Sequence, residues 1–465
     1  MTRPARLALA LLTTVAAFPL HADDTSIGTV LNRIQPKQIE ATITKLVSFG
    51  TRHTLSETDS DTRGIGAARR WIKSEFERCN AERHGRLEVS FQSHIEPASK
   101  RIDRAVEIVN VVATLPGLDP QAKARVFVVS GHYDSRVTDV MNARSDAPGA
   151  NDDASGTAAV MAMACAMADQ PTDATIVFMA VAAEEQGLFG AEDFAKKAEA
   201  SGMQIEGAIT NDIIGSSTGD DGSRHEHTVR LFVDGLTPLL KKQLAESMPG
   251  DAFAERTRKQ LAQIALIGGE HDTPTHQFGR AMKRAAERWQ PDFTVDLIGR
   301  RDRFLRGGDH LPFLERGWPA LRFTEPAEDF RHQHQDVRTE NGVKYGDLPE
   351  FVDYAYVARV ARANLAGLAS LARAPSAPED ARMEVTQLTN DTTLTWQAPR
   401  YGKPVGYRLV WRATDSEVWQ GQQDVPASQT KATLPLSKDN LQFGVIALGA
   451  DGVESVAAFP LPEGR

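Results

Sequence analysis

Between Thr175 and Ala183 only the first residue is polar, and the run ends in two adjacent carboxylates, Glu184 and Glu185. An apolar run of this length reads as a strand buried on both faces. Charges are almost never fully buried without a partner, so the pair belongs at the strand's end, beside something that balances it. The pattern recurs along the chain. "RVFVVSGHYDS" (125–135) ends with His132 and Asp134, "IEGAITNDIIG" (205–215) carries Asp212, and "WPALRFTE" (318–325) ends at Glu325. Strand patterns also appear at 87–93, 106–117 and 228–233. Helical patterns accompany them at 39–47, 64–76, 153–169, 190–200 and 348–371. Such alternation predicts an α/β fold with a mixed, mainly parallel sheet flanked by helices.

The first 24 residues, "MTRPARLALALLTTVAAFPLHADD", combine early arginines, a short apolar stretch and a small-residue cleavage pattern near Ala22. They read as a secretory signal peptide (1–22), with a mature chain from Asp23 in a bacterial-type periplasm or outside the cell. No run is long enough to predict a membrane span. Residues 23–373 form the expected main domain, interrupted by a less regular excursion at 216–306 that is a candidate lid. Proline and alanine mark a linker at 374–382. Short alternating stretches from 383 to 465 predict a β-sandwich resembling a fibronectin type III module. Net charge of −9 argues against nucleic acid as the main partner. Export would permit a bridge between the two cysteines, Cys79 and Cys165. Cys165, within "MAMACAMA", reads first as a buried small hydrophobe, and the pairing stays open.

Ligands of parallel α/β sheets bind beyond the carboxyl ends of the strands. That rim collects His132, Asp134, Asp152, Asp153, Glu184, Glu185, Asp212, Glu325, His332, His334 and Asp336 from five segments. So many carboxylates in one place would raise each other's pKa and oppose folding. Bound divalent ions would relieve the conflict. Imidazole and carboxylate together suit zinc, and two zincs with three carboxylates and one activated water make a near-neutral hydrolytic site. A strand that ends in two glutamates can offer one to a metal and the other to that water.

"GHYDS", "GANDDASG", "AAEEQGLFGAE", "NDIIG", "GGDHLPF" and "RHQHQD" follow one another in this chain. In this order they resemble the secreted bacterial leucine-type aminopeptidases, co-catalytic di-zinc enzymes whose superfamily includes glutaminyl cyclases and glutamate carboxypeptidases. The resemblance spans roughly residues 40–372 and implies the zinc exopeptidase fold, two zinc ions and peptide substrates with a free N-terminus. It implies Asp152 as a carboxylate shared by both zincs, with His132 and Asp212 on one and Glu185 and His332 on the other. His332 is chosen over His334 because the family's last ligand sits four residues before an aspartate, here Asp336. Glu184 is implied as general base, and Asp134 as the partner of the far nitrogen of His132. Asp309 and His310 match a loop near the substrate, His310 as a candidate oxyanion donor. Cyclisation of N-terminal glutamine, carboxypeptidase specificity and a non-catalytic binding module are the rival readings.

Overall fold

The computed structural model describes residues 25–234, 262, 264 and 266–463. The predicted signal peptide and the middle of the 216–306 excursion lie outside the described residues. The chain opens with three helices, α1 (Thr25–Leu31), α2 (Pro36–Val47) and α3 (Gly64–Glu82). An antiparallel pair follows, β1 (Glu88–Glu96) and β2 (Val106–Leu115). The core then alternates: β3 (Arg125–His132), α4 (Ala154–Met167), β4 (Thr175–Val181), a single turn α5 (Glu184–Gly187), α6 (Phe189–Ala200) and β5 (Gln204–Asn211). After β6 (Thr228–Phe232) come α7 (Pro274–Trp289), β7 (Thr294–Ile298), α8 (Leu311–Glu315) and β8 (Ala320–Thr324). A small hairpin, β9 (Arg338–Glu340) and β10 (Val343–Tyr345), precedes α9 (Tyr354–Arg373).

Strands β1 to β8 form one sheet in the order β1-β2-β4-β3-β5-β8-β6-β7. Its centre, β4-β3-β5-β8, is parallel, and antiparallel pairings flank it. The sheet is therefore mixed with a parallel middle, as expected. Every residue of β3 is buried, which is why its sequence is a continuous apolar run rather than an alternating one. Helix α4 is buried along its whole length, and its Ala, Gly and Ser residues let it lie close against the sheet. A Cβ on Gly131 would come within 2.4 Å of the Gly156 carbonyl carbon, so that approach requires glycine. The Asp153 carboxylate caps α4 by accepting from the Gly156 amide at 2.9 Å.

Cys79 and Cys165 form a disulfide, which corrects the reading of Cys165 as an unpaired hydrophobe. Both are buried, one in the last turn of α3 and the other in α4, with Cα atoms 5.5 Å apart. Helical periodicity shows that each helix has a buried face. It does not show that these two faces meet.

The C-terminal residues build two further sheets. One contains β11 (Glu379–Met383), β12 (Thr392–Gln397), β15 (Lys431–Leu434) and β17 (Leu461–Pro462). The other contains β13 (Gly406–Ala413), β14 (Gly421–Pro426) and β16 (Leu441–Leu448). β11 begins inside the stretch read as a linker, and Arg125 of β3 donates to the Ala374 carbonyl at 2.8 Å, tying the junction down. The described parts of the excursion divide: its last residues return to the rim, where the Arg301 carbonyl meets His310 and Asp302 meets Arg322, while the segment before α7 lies elsewhere. Because β6 runs antiparallel to β8, the chain leaves β6 at the end of the sheet away from the carboxylate rim. The segment before α7 lies against the C-terminal sheets, where buried Asp272 pairs with Arg412 at 2.6 Å and with Arg280 at 3.2 Å.

Candidate metal centre

Two clusters of ligand-type atoms meet at the carboxyl ends of β3, β4 and β5. The first joins His132, Asp152 and Asp212, and the second joins Asp152, Glu185 and His334, each set lying within 4.8 Å. Asp152 belongs to both. Its Oδ1 lies 3.1 Å from His132 Nε2, and its Oδ2 lies 2.8 Å from His334 Nε2. Asp212 Oδ1 is 3.9 Å from His132 Nε2, and Glu185 Oε1 is 3.0 Å from His334 Nε2.

Strand geometry explains the convergence. His132 is the last residue of β3, Asp212 follows β5, and the Glu184–Glu185 turn follows β4. Ala183, at φ 61°, turns the chain sharply out of β4. The Asp134 carboxylate then receives both glutamate amides, Glu184 at 3.3 Å and Glu185 at 3.2 Å. Asp152 is held from its own main chain. The buried Asp347 carboxylate accepts from the Asn151 amide at 2.8 Å and from the Asp152 amide at 2.7 Å. Fully buried Arg52 binds the carbonyls of Tyr133, Pro148 and Gly149, closing the loop from the other side. Arg52 and Asp347 were not among the expected site residues. A charged residue inside "LVSFGTRHT" was the only visible hint of the first, and nothing in "YGD" marks the second.

One expected ligand is corrected. His332 does not reach the cluster: its ring stacks on Phe351 with centroids 3.7 Å apart and planes 10° apart. His334, two residues on, occupies the position instead. Its φ of 57° turns the side chain back toward Asp152 and Glu185. The spacing to Asp336 misled because Asp336 is exposed at the surface, and its hydrogen bond to the Thr138 hydroxyl at 3.3 Å is made by its backbone amide. Asp134 also differs in detail. It meets His132 Nδ1 mainly through its backbone carbonyl at 3.1 Å, with the carboxylate at 3.5 Å. Asp309 and His310 are both buried, and each feels the charge of Asp212. His310 Nε2 bonds the Arg301 carbonyl at 2.6 Å and must carry the hydrogen there, so Nδ1 can only accept. The expected oxyanion donation by His310 is therefore not available in this arrangement. Burial lowers its pKa to about 4 despite Asp302 beside it.

The electrostatics are those of a cation site. Burial alone would lower the pKa of His132, but Asp134, Asp152 and Asp212 outweigh it and raise it well above the ordinary value. Glu184 is half-buried, and burial pushes its pKa well up, with Asp212, Glu185 and Asp309 adding to the effect. Asp309 rises to about 8, first through burial and then through Asp134 and Asp212. Glu185 Oε1 is buried and has no hydrogen bond, although it lies 3.0 Å from His334 Nε2. An unsatisfied carboxylate oxygen next to a ring nitrogen is what two ligands of one ion present to it. The donor set of nitrogen and carboxylate oxygen, with no thiolate, fits zinc.

A family model described as Peptidase family M28 matches residues 110–259. A probable zinc metalloprotease of Leptosphaeria maculans is 47% identical over 441 residues, covering 95% of this chain and 98% of that protein. A second, from Pyricularia oryzae, is 46% identical over 445 residues, covering 94% of this chain and 85% of that one. Among solved structures, the Legionella pneumophila LapA aminopeptidase shares the fold with a TM-score of 0.50 and 17% identity, over 78% of each chain.

Proposed function

The chain belongs to peptidase family M28, a zinc metallopeptidase by its relatives, and from that premise we propose that it is a di-zinc aminopeptidase acting on peptides with a free N-terminus. The observation that carries this reading is the pair of ligand clusters sharing Asp152, with Glu184 beside them. His132, Asp152 and Asp212 would hold one ion, and Asp152, Glu185 and His334 the other. When bound, zinc supplies a Lewis acid for the scissile carbonyl and lowers the pKa of the attacking water.

The chain's own groups do the rest. Glu184 takes a proton from the water and delivers it to the departing amine nitrogen. Asp134 keeps Glu184 and Glu185 on opposite duties by holding both their amides. Surplus carboxylates on the rim favour a substrate that brings an ammonium group. A carboxypeptidase would need a free cation for the substrate's terminal carboxylate. Among the described residues, the arginines at the two clusters are already engaged, Arg136 by Glu185 and His334, and Arg322 by Asp212 and Asp302. LapA, which shares the fold, is an aminopeptidase by name, and that agrees with this specificity. We also place the enzyme in an oxidising compartment outside the cytosol. The Cys79–Cys165 bridge and the signal-like N-terminus support that placement. The relatives named are fungal, and nothing in the proposal requires a periplasm.

The test uses purified protein loaded with zinc and one short peptide, offered with a free or an acetylated N-terminus, with and without a chelator. Release of the first residue from the free-amine peptide alone, lost on chelation and restored by zinc, is the expected result. Equal cleavage of both peptides would reject the aminopeptidase specificity. The ligand set has its own test. His334→Ala should weaken one ion by more than the 10–100-fold typical of losing a supporting hydrogen bond, and His332→Ala should leave zinc content unchanged. Elemental analysis after dialysis distinguishes them, and zinc loss in the His332 variant would reverse the assignment.

A further inference from the structure

The two ligand clusters look equivalent by composition: each has one histidine, one terminal carboxylate and a share of Asp152. They differ at the far nitrogen of the histidine. A neutral imidazole that gives Nε2 to a metal carries its hydrogen on Nδ1, and that hydrogen needs an acceptor. His132 meets the requirement, since Nδ1 faces the Asp134 carbonyl at 3.1 Å and its carboxylate at 3.5 Å. His334 does not. Its Nδ1 faces Arg136 Nη2 at 2.6 Å, and a guanidinium can only donate. The same guanidinium holds Glu185 Oε2 through Nε at 2.8 Å.

Arg136 thus spans two ligands of one cluster and carries a positive charge beside the point where an ion would sit. The other cluster also has an arginine, but its placement is different. Arg322 Nη1 meets Asp212 Oδ2 at 3.0 Å, shares itself with Asp302 at 3.2 Å, and forms no hydrogen bond to His132 among those described. Asp212 Oδ1 remains turned toward His132 Nε2 at 3.9 Å. One cluster is arranged as a finished metal site, and the other is arranged around a side-chain cation.

We propose that Arg136 is a built-in competitor for the second metal position, so that the two positions fill in order, the His132–Asp152–Asp212 position first. For the second ion to bind, Arg136 must release His334 Nδ1, while its hold on Glu185 Oε2 can persist. The inference rests on the two-ion reading above and adds the order of filling and the residue that sets it.

The experiment is a calorimetric titration of chelator-stripped, refolding-competent full-length protein with zinc, comparing wild type, Arg136→Met, Arg136→Lys and His334→Ala. Wild type should bind in two steps at least about 10-fold apart. Arg136→Met should tighten the second step by roughly 10–100-fold, the range that supporting contacts of metal ligands command, and leave the first unchanged. Arg136→Lys keeps the charge and loses the fork, so it should shift the second step in the same direction by less. It also serves if the methionine variant folds poorly, as judged by its thermal midpoint. His334→Ala should retain only the first step. Two indistinguishable steps in wild type, an unchanged or weaker second step in both Arg136 variants, or loss of the first step in His334→Ala would overturn the proposal while leaving two ions in place. One ion bound by wild type and both Arg136 variants at saturating zinc would instead reject the two-ion reading, and this proposal with it.

Discussion

Glu184→Gln is expected to retain its zinc and lose turnover, with kcat falling by about 10²–10⁴-fold, the range assigned to a positioned general base. KM should change little, because Glu184 is not among the atoms that close either ligand cluster. The substitution is nearly isosteric and keeps the backbone amide that Asp134 binds at 3.3 Å, so the turn at the end of β4 should survive. Glutamine cannot accept a proton and return it. The informative measurement is therefore a pair, kcat with a free-amine peptide and zinc content after dialysis. Normal kcat with normal zinc would remove Glu184 from the proton path. Loss of zinc along with activity would make it a ligand rather than a base.

Asp152→Ala should abolish activity and release zinc from both positions. The reason is geometric: Oδ1 and Oδ2 face His132 Nε2 and His334 Nε2 at 3.1 and 2.8 Å, so one truncation removes a ligand from each cluster. His132, His334 and the remaining carboxylates would be left with one imidazole and one terminal carboxylate per ion, too few for stable retention. The loop itself should hold, because Asp347 grips the amides of residues 151 and 152 rather than the Asp152 side chain. An intact thermal transition with zinc content near zero is the expected outcome. Retention of both ions would refute the shared role, and retention of one would assign Asp152 to a single position.

The site was legible in outline because its residues sit where strands end. Apolar runs from Val126 and from Ile176 could only be buried strands, and their polar termini could only meet at one edge of a parallel sheet. His132, Asp152, Glu185 and Asp212 were found on that logic together with the motif resemblance, and the structure brings their ligand atoms together. The choice of His332 over His334 by its spacing to Asp336 was wrong, because both lie in a loop with no periodic signal and the outcome depends on one residue's φ. The role of Arg136 was equally hidden. Sequence shows an arginine after "GHYDS", but only the fold shows that it reaches a histidine 198 positions away.

The fold class, the edge of the sheet that carries chemistry, and the kind of ligands that chemistry uses were readable from the chain alone. These follow from local hydrophobic period and from the cost of burying unpaired charge, both of which are written in short windows. The tertiary structure decided the Cys79–Cys165 bridge, the choice of His334, the docking of the pre-α7 segment on the C-terminal sheets, and the cation inserted beside one of two similar clusters. Each depends on which buried faces meet and on single backbone torsions in loops. Such contacts join residues far apart in the chain, and no local pattern encodes them.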